Sequence, residues 1–428
     1  MTMNLNNKDQ YWTQRAEQRL INAENLTSDM LKDLKTTYEQ AIKAIEKEIN
    51  AFYGKYSIET GLDITEVRKR LDKSELKDFK KQLQLYYDEV KRLGGYSPDT
   101  RSYLRELSAK AYISRLEELQ ANICWEVESL YRQQQLRLFE VLSKGYEETY
   151  YRANFDMQQG IGFAYSFTAL NTKAVQKAVT QKWQGDNFSD RIWADKNKLV
   201  STLETTIPQG IALGQNPRKV ARNIAKTMDT KFSNAERLAR TEMGHVVNQA
   251  NLDSYKEVPE ILQKYKYIAT LDARTSSICR DLDGKIFDMK EAQEGVNYPE
   301  MHPNCRSTTT PYFDDIDYSE YTRMATDYST GKNYFVPADM DYKTWRASLS
   351  EKQNKHFIAE EKILKQKSQD KKQLAEYRKL ATKARKNGYS ELFEGMPRSL
   401  REYQEYKYLQ PEKYEILKDN ARIARSLR

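Results

Sequence analysis

The chain has 428 residues, 70 Lys+Arg against 62 Asp+Glu, a net charge of +8 and a charged fraction of 31%. With a mean hydropathy of −0.87 and no run near 18 apolar residues, it excludes a helical membrane-spanning protein, and its three cysteines are too few for a disulfide framework. The polar opening MTMNLNNKDQYW carries no secretion signal, so synthesis in a reducing, cytoplasmic compartment is expected. The length suits two or three domains, and the charge predicts an elongated, helix-rich protein.

In chain order, a long helix is predicted from Thr27 as cap, because Leu31, Leu34, Tyr38, Ile42, Ile45, Ile49 and Tyr53 recur every three or four residues on one face. Residues 61–84 read as shorter helices, capped at Asp63 or Thr65, with Val67, Leu71, Leu76 and Phe79 inward. Gly94, Gly95 and Ser97-Pro98-Asp99 then break the pattern. A second long helix carries Leu104, Leu107, Ala111, Leu116, Leu119, Ile123, Val127 and Leu130 and runs to about Met157. Residues 1–157 are therefore expected to form a long helical hairpin or bundle, with Cys124 as a small buried hydrophobe.

Residues 158–235 read as a helical connector. Its junction spans Gln158 to Ala169, and breaks fall at Gly185-Asp186-Asn187 and Gly214-Gln215-Asn216-Pro217, where Asn216 caps and Pro217 takes the first helical position. Trp183 and Trp193 anchor the local core. Within 236–345 the period changes. Ser233 caps a helix bearing Arg240, Glu242 and His245; Lys264 to Leu271 alternates as a strand; and Lys285-Ile286-Phe287 returns after the Asp283-Gly284 turn. This predicts a small mixed α+β domain with a short antiparallel sheet. Pro311 to Pro337 reads as tyrosine-rich and irregular. Helices resume near Lys343, and Lys352 to Lys386 is a highly charged helix ended by Gly388 and Gly395. No internal repeat or low-complexity tract is evident. The fold class is α+β, predominantly α-helical, with a helical basic tail over 346–428.

Charge is unevenly spread. Residues 351–428 hold 20 Lys+Arg and 12 Asp+Glu, so the tail carries the whole surplus. Its partner is nucleic acid, bound through neutralised phosphates, or an acidic protein face; the alternative is a solvated helical tail.

Two of three cysteines and two of three histidines fall between Ala239 and Phe313. Cys279, His302 and Cys305 offer soft donors suited to a zinc ion, with Asp272, Asp281 or His245 as a fourth ligand. The competing structural reading has buried thiols and a loop pinned by hydrogen bonds. A cysteine nucleophile would pair Cys279 or Cys305 with His245 or His302, but no protease signature supports it. The two halves of a zinc nucleobase-deaminase motif are absent. Arg240-Thr241-Glu242 is similar to the Arg–Ser/Thr–Glu pocket of ADP-ribosyltransferases, yet their Glu-x-Glu turn is missing; the nearest pair is Glu257-x-x-Glu260. A structural polar cluster is the more economical expectation, in which Arg240 or Glu242 pairs with Arg274 or Asp272 across a helix–strand contact, near Asp283.

The order Arg240-Thr241-Glu242, then Thr270 to Gly284 (TLDARTSSICRDLDG), then Pro299 to Arg306 (PEMHPNCR) resembles the head-morphogenesis domain of tailed phages, the Mu F-like minor head protein family. Trp183 to Leu199 resembles the helical lead-in of Gram-positive phage members, so the resemblance covers residues 1 to about 345. Members often carry a second cysteine after His-Pro-x-Cys-Arg; here Ser307 stands there, which weakens the zinc reading. The resemblance implies a minor capsid protein present in few copies in the virion, inside the phage head, and made in the host bacterial cytoplasm. Its implied partners are the portal protein, capsid or scaffolding protein and packaged double-stranded DNA, with a role in head assembly and in DNA packaging or ejection. A non-enzymatic protein is expected, contacting DNA without sequence preference; the alternative is a toxin-like or Cys–His hydrolase enzyme delivered with the DNA.

Overall fold

Three long helices supply most of the core. A computed structural model describes residues 12–60, 115–212, 217–314, 322–397 and 399–427. The shorter helices expected at 61–84, the Gly94–Asp99 break and the Asn216 cap lie outside these residues. Helix α1 spans Trp12–Thr60, α2 Arg115–Ile161, α3 Thr172–Thr180, α4 Phe188–Ala212 and α5 Pro217–Tyr255. Strand β1 covers Lys264–Ile268, α6 Ser277–Leu282, β2 Ile286–Asp288, β3 Thr308–Tyr312, β4 Thr322–Asp327 and β5 Lys332–Pro337. Helices α7 (Tyr342–Ser348), α8 (Glu351–Lys386), α9 (Leu400–Leu409) and α10 (Pro411–Ser426) close the chain. The fold is α+β and predominantly helical, as expected. Among the described residues, no helix is long and apolar enough to cross a membrane.

The chain divides into two units. The first comprises Met1–Ala269, Leu282–Arg323 and Pro337–Asp339; the second comprises Thr270–Asp281, Met324–Val336 and Met340–Arg428. In the first, α1, α2 and α5 pack on one another around Leu34, Ile45, Ile123, Val127, Leu142 and Val247, all buried. Each such side chain contributes about 1.5–3 kcal/mol on burial. The three-to-four spacing of Leu31 through Ile49 and of Leu119 through Leu130 thus marks core faces, and Cys124 is buried among them.

Two helix boundaries differ from expectation for one reason: a Ser or Thr hydroxyl can bond back into a helix instead of capping it. Helix α1 starts by Trp12, and Thr27 sits inside it, its Oγ1 donating to the Ala23 carbonyl at 2.9 Å. Ser233 likewise lies within α5, donating to the Asp229 carbonyl at 3.2 Å, so one helix runs from Pro217 past Glu242. Helix α2 continues beyond Met157 to Ile161, and Gly162, at φ +84°, turns the chain out of it.

The first unit's sheet has the order β2-β1-β3, antiparallel throughout, with Tyr265 opposite Phe287 and Pro311. The expected return to β2 is present, with α6 inserted between the strands. Within the stretch expected to be irregular, Thr322–Asp327 and Lys332–Pro337 instead pair as a two-stranded sheet, β4-β5, turned at Gly331, φ +71°. Their alternation is hidden because both strands are half exposed. Helix α8 opens with a capping box in which Ser350 and Gln353 bond reciprocally. It buries Leu374, Tyr377, Ala381 and Ala384 against Tyr403 of α9 and Leu417 of α10.

Candidate functional site

Helix α5 buries polar residues along the face that meets β3. Asn248, Asn251 and Ser254 are fully buried. The Asn248 Nδ2 donates to the Ser307 carbonyl at 3.2 Å, Asn251 Nδ2 to Thr308 Oγ1 at 3.4 Å, and the Tyr255 hydroxyl to the Thr309 carbonyl at 3.0 Å. The Tyr298 hydroxyl returns a bond to the Asn248 carbonyl at 2.8 Å. Helix and strand are therefore joined by hydrogen bonds where most cores use methyl groups, and each partner satisfies a group that would be costly to bury alone. Gly244 permits the approach, since a Cβ there would lie 2.3 Å from Glu300 Oε1.

The Arg-Thr-Glu triplet splits into three roles. Arg240 pairs with Glu236 on the helix surface at 3.3 Å. The Thr241 hydroxyl donates to the Arg237 carbonyl at 2.7 Å and accepts the Asn304 N–H at 3.0 Å, which ties the His-Pro-Asn-Cys loop to α5. Asn304 holds φ +59°, a conformation this residue tolerates better than most. Glu242 is buried, accepting from Trp183 Nε1 at 2.9 Å and from Arg191, whose other nitrogen donates to the Trp183 carbonyl at 2.6 Å. Burial pushes the Glu242 carboxyl above its ordinary value, with Trp183 and Arg191 opposing. The Arg191 guanidinium lies 4.4 Å from the Trp183 ring centroid and the His245 ring stacks on that indole at 4.5 Å. His245 Nδ1 meets Glu294 at 2.7 Å.

The expected pairing of Arg240 or Glu242 with Arg274 or Asp272 is replaced by these local partners. The second unit has its own brace. Asp272 Oδ1 accepts the N–H groups of Arg274 and Thr275 at 2.9 and 3.0 Å, a turn that keeps the carboxylate bound to its own segment. Arg274 reaches Asp272 at 3.5 Å and is otherwise exposed. Arg280 donates to the carbonyls of Thr275 and Ala273 at 2.8 and 3.0 Å and to Glu361 of α8 at 2.7 Å. Asp283, in the first unit, forms a two-pronged pair with Arg323 at 2.9 Å on each prong; both side chains are fully buried, and Asp283 also accepts the Ala269 N–H at 2.7 Å.

Sequence reading missed Arg191, Glu294, Glu300, Arg280 and Arg323. Arg191 sits in the lead-in already singled out, so a signal existed there. Arg323 follows residues with no local mark of burial, and its partner is 40 positions away.

The three metal-ligand candidates divide between the units: Cys279 is buried in the second, while Cys305, buried, and His302, half-buried, lie in the first. Two thiols and an imidazole are the soft donors that a zinc ion prefers. The proposed fourth ligands are engaged elsewhere or turned outward: His245 on Glu294, Asp272 in its turn, Asp281 to solvent. Within the loop, the Cys305 N–H donates to the His302 carbonyl at 3.0 Å.

This arrangement, a long helix hydrogen-bonded to a small antiparallel sheet and locked by buried ion pairs, defines a small α+β module. Residues 201–310 match the family model described as Phage Mu protein F like protein. The chain is 27% identical over 234 residues to minor head protein GP7 of Bacillus phage SPP1, covering 53% of this chain and 72% of that protein. It is also 26% identical over 256 residues to NAD(+)--arginine ADP-ribosyltransferase EFV of Enterococcus faecalis (strain ATCC 700802 / V583), covering 56% of this chain and 49% of that protein. The chain thus spans about half the length of one relative and under three quarters of the other. No solved structure matches.

Proposed function

We propose that the protein is a minor head protein of a tailed double-stranded DNA phage, housed in the head interior, which binds the portal through its helical surfaces. In this reading it contacts packaged DNA without sequence preference through its C-terminal helices and serves head assembly, packaging or ejection without catalysing a reaction. The observation that carries it is the Mu F-like segment at 201–310, beside the likeness to a relative named as a minor head protein, and within that segment Glu242, His245 and Asp283 are each held by a partner. Purified virions and procapsids test it: the protein is expected in both, co-purifying with portal protein from disrupted heads. Its absence from both particles would overturn the reading.

The likeness to an ADP-ribosyltransferase keeps one enzymatic reading in view. Glu242, the acid of the Arg-Thr-Glu triplet, is 2% exposed and held by Trp183 and Arg191, unsuited to meeting a dinucleotide. Incubation with labelled NAD⁺ and an arginine acceptor is expected to give no transfer above that of a Glu242→Gln variant.

The same proposal keeps Cys279, His302 and Cys305 as candidate donors for one zinc ion, on the chemistry of two thiols and an imidazole. Elemental analysis of purified protein should return near one zinc per chain, falling in Cys279→Ser and Cys305→Ser. Metal-free protein of unchanged thermal stability would leave the thiols as core residues.

A further inference from the structure

The C-terminal surplus of charge narrows to one helix surface. Between residues 362 and 386 there are ten Lys+Arg and two acids, so this part of α8 alone holds the +8 of the tail. Neither acid weakens it. Asp370 is fully buried and bound by Lys407, Gln404 and Gln366. Glu376 pairs with Arg425 of α10 at 2.6 Å.

The basic side chains are ordered. Lys365, Lys372, Lys379 and Lys386 recur at seven-residue steps, as do Lys371, Arg378 and Arg385, and all seven are exposed. Seven residues are nearly two helical turns, about 10.5 Å, so each set forms a row along the axis. With Leu374, Tyr377, Ala381 and Ala384 facing the core, both rows face solvent. Between them lie Ser368, Ala375 and Thr382, again seven apart, exposed and short. The four lysines of the first row carry no ion pair among the described residues. The double row is about 32 Å long, comparable to nine base-pair steps of duplex at roughly 3.4 Å each.

We propose that this face of α8 is the surface on which the protein holds duplex DNA, its two basic rows meeting phosphates while the low strip between them lets the helix approach the backbone. This rests on the reading of DNA contact given above and sharpens it: the contact belongs to one face of one helix instead of the tail at large. An acidic protein is the lesser fit, because flexible lysines spaced along a line match a regular polyanion better than an irregular set of carboxylates. Phosphate contact carries no base information, so all sequences are bound alike.

The test uses the full chain and a fluorescent 30-base-pair duplex of arbitrary sequence, with affinity followed from 50 to 200 mM salt. Replacing four phosphate contacts, as in K365Q/K372Q/K379Q/K386Q, is expected to reduce the slope of log affinity against log salt by about 3–4. Neutralising four exposed lysines of the first unit, K173Q/K177Q/K198Q/K226Q, should leave the slope in place. Ala375→Glu, with a carboxylate between the rows, should weaken binding well beyond Ala375→Gln. Duplex binding by the wild type with an unchanged slope in the four-lysine variant would overturn the assignment to α8 while leaving DNA contact standing. No duplex binding by the wild type at 50 mM salt would overturn both. Circular dichroism confirms that each variant is folded.

Discussion

The α5–sheet region and the α8–α10 helices are both rich in charge and use it in opposite ways. Around α5, charged groups turn inward: Glu242 to Trp183 and Arg191, Asp283 to Arg323, His245 to Glu294. Around α8, one acid turns inward and the bases stay on the surface. Inward charges fix geometry, since each pair is stable only when both partners are in place. Outward charges fix little and are available to a partner. A charge-braced region and a charge-presenting one are thereby distinguished by the direction in which similar residues point.

The sharpest way to break this contrast is at Arg323 and Asp283, whose side chains are both 0% exposed. Arg323→Met leaves a carboxylate buried without its countercharge and should destabilise the first unit by about 3–5 kcal/mol, read from the urea midpoint. The double variant Arg323→Met/Asp283→Leu should recover only part of this. Arg323 and Asp283 also serve the Ala269 carbonyl and N–H, which the double variant leaves unmet. A single-variant loss under about 1 kcal/mol would mean that water reaches the carboxylate and that the pair is not a brace.

A smaller effect is expected at Gly244. Its Cβ would stand 2.3 Å from Glu300 Oε1 and 2.9 Å from Glu300 Cδ, and Glu300 is fully buried and cannot swing into solvent. Gly244→Ala should therefore lower stability by about 1–3 kcal/mol despite the better helix propensity of alanine. Adding Glu300→Ala should return part of the loss if the clash is its cause, and none if Gly244 serves backbone flexibility instead.

These pairs also mark where the sequence is legible. The amphipathic spacing of Leu31 to Ile49 and of Leu119 to Leu130 is a local signal, and those residues are buried as predicted, with Ile42 partly so. The start of α1 was not legible, because its first turns bury Trp12, Ala16, Arg19 and Ala23, where small or charged side chains dilute the apolar pattern. Strands β4 and β5 were hidden because neither has a fully buried face. At the candidate site, Cys279, His302 and Cys305 were legible as soft donors because residue type alone displays that chemistry. The partner of Glu242 does not: Arg191 is 51 positions away, and a choice among many arginines at that range is made by packing of α4 on α5, which no spacing reveals.

The contrast sharpens to its finest point in the pH dependence of one buried acid from each region, Glu242 and Asp370. Burial pushes the Glu242 carboxyl up from its ordinary value, so its contribution to stability is greatest below the unfolded carboxyl range and is lost as pH rises through the folded value. Asp370 runs the other way. Burial opposes its ionisation, but Lys407, Gln404 and Gln366 together hold it below the ordinary value, so its contribution is present above about pH 3.9 and is lost as pH falls through the folded value. Amide hydrogen exchange from pH 3 to 8 reads each region separately. The protection that wild type holds over Glu242→Gln around α5 should shrink as pH rises, whereas the protection it holds over Asp370→Asn around α8 should grow. Changes of the same sign in both regions would mean that the two acids are held alike, and that the division between a charge-bound scaffold and a charge-presenting surface is drawn in the wrong place.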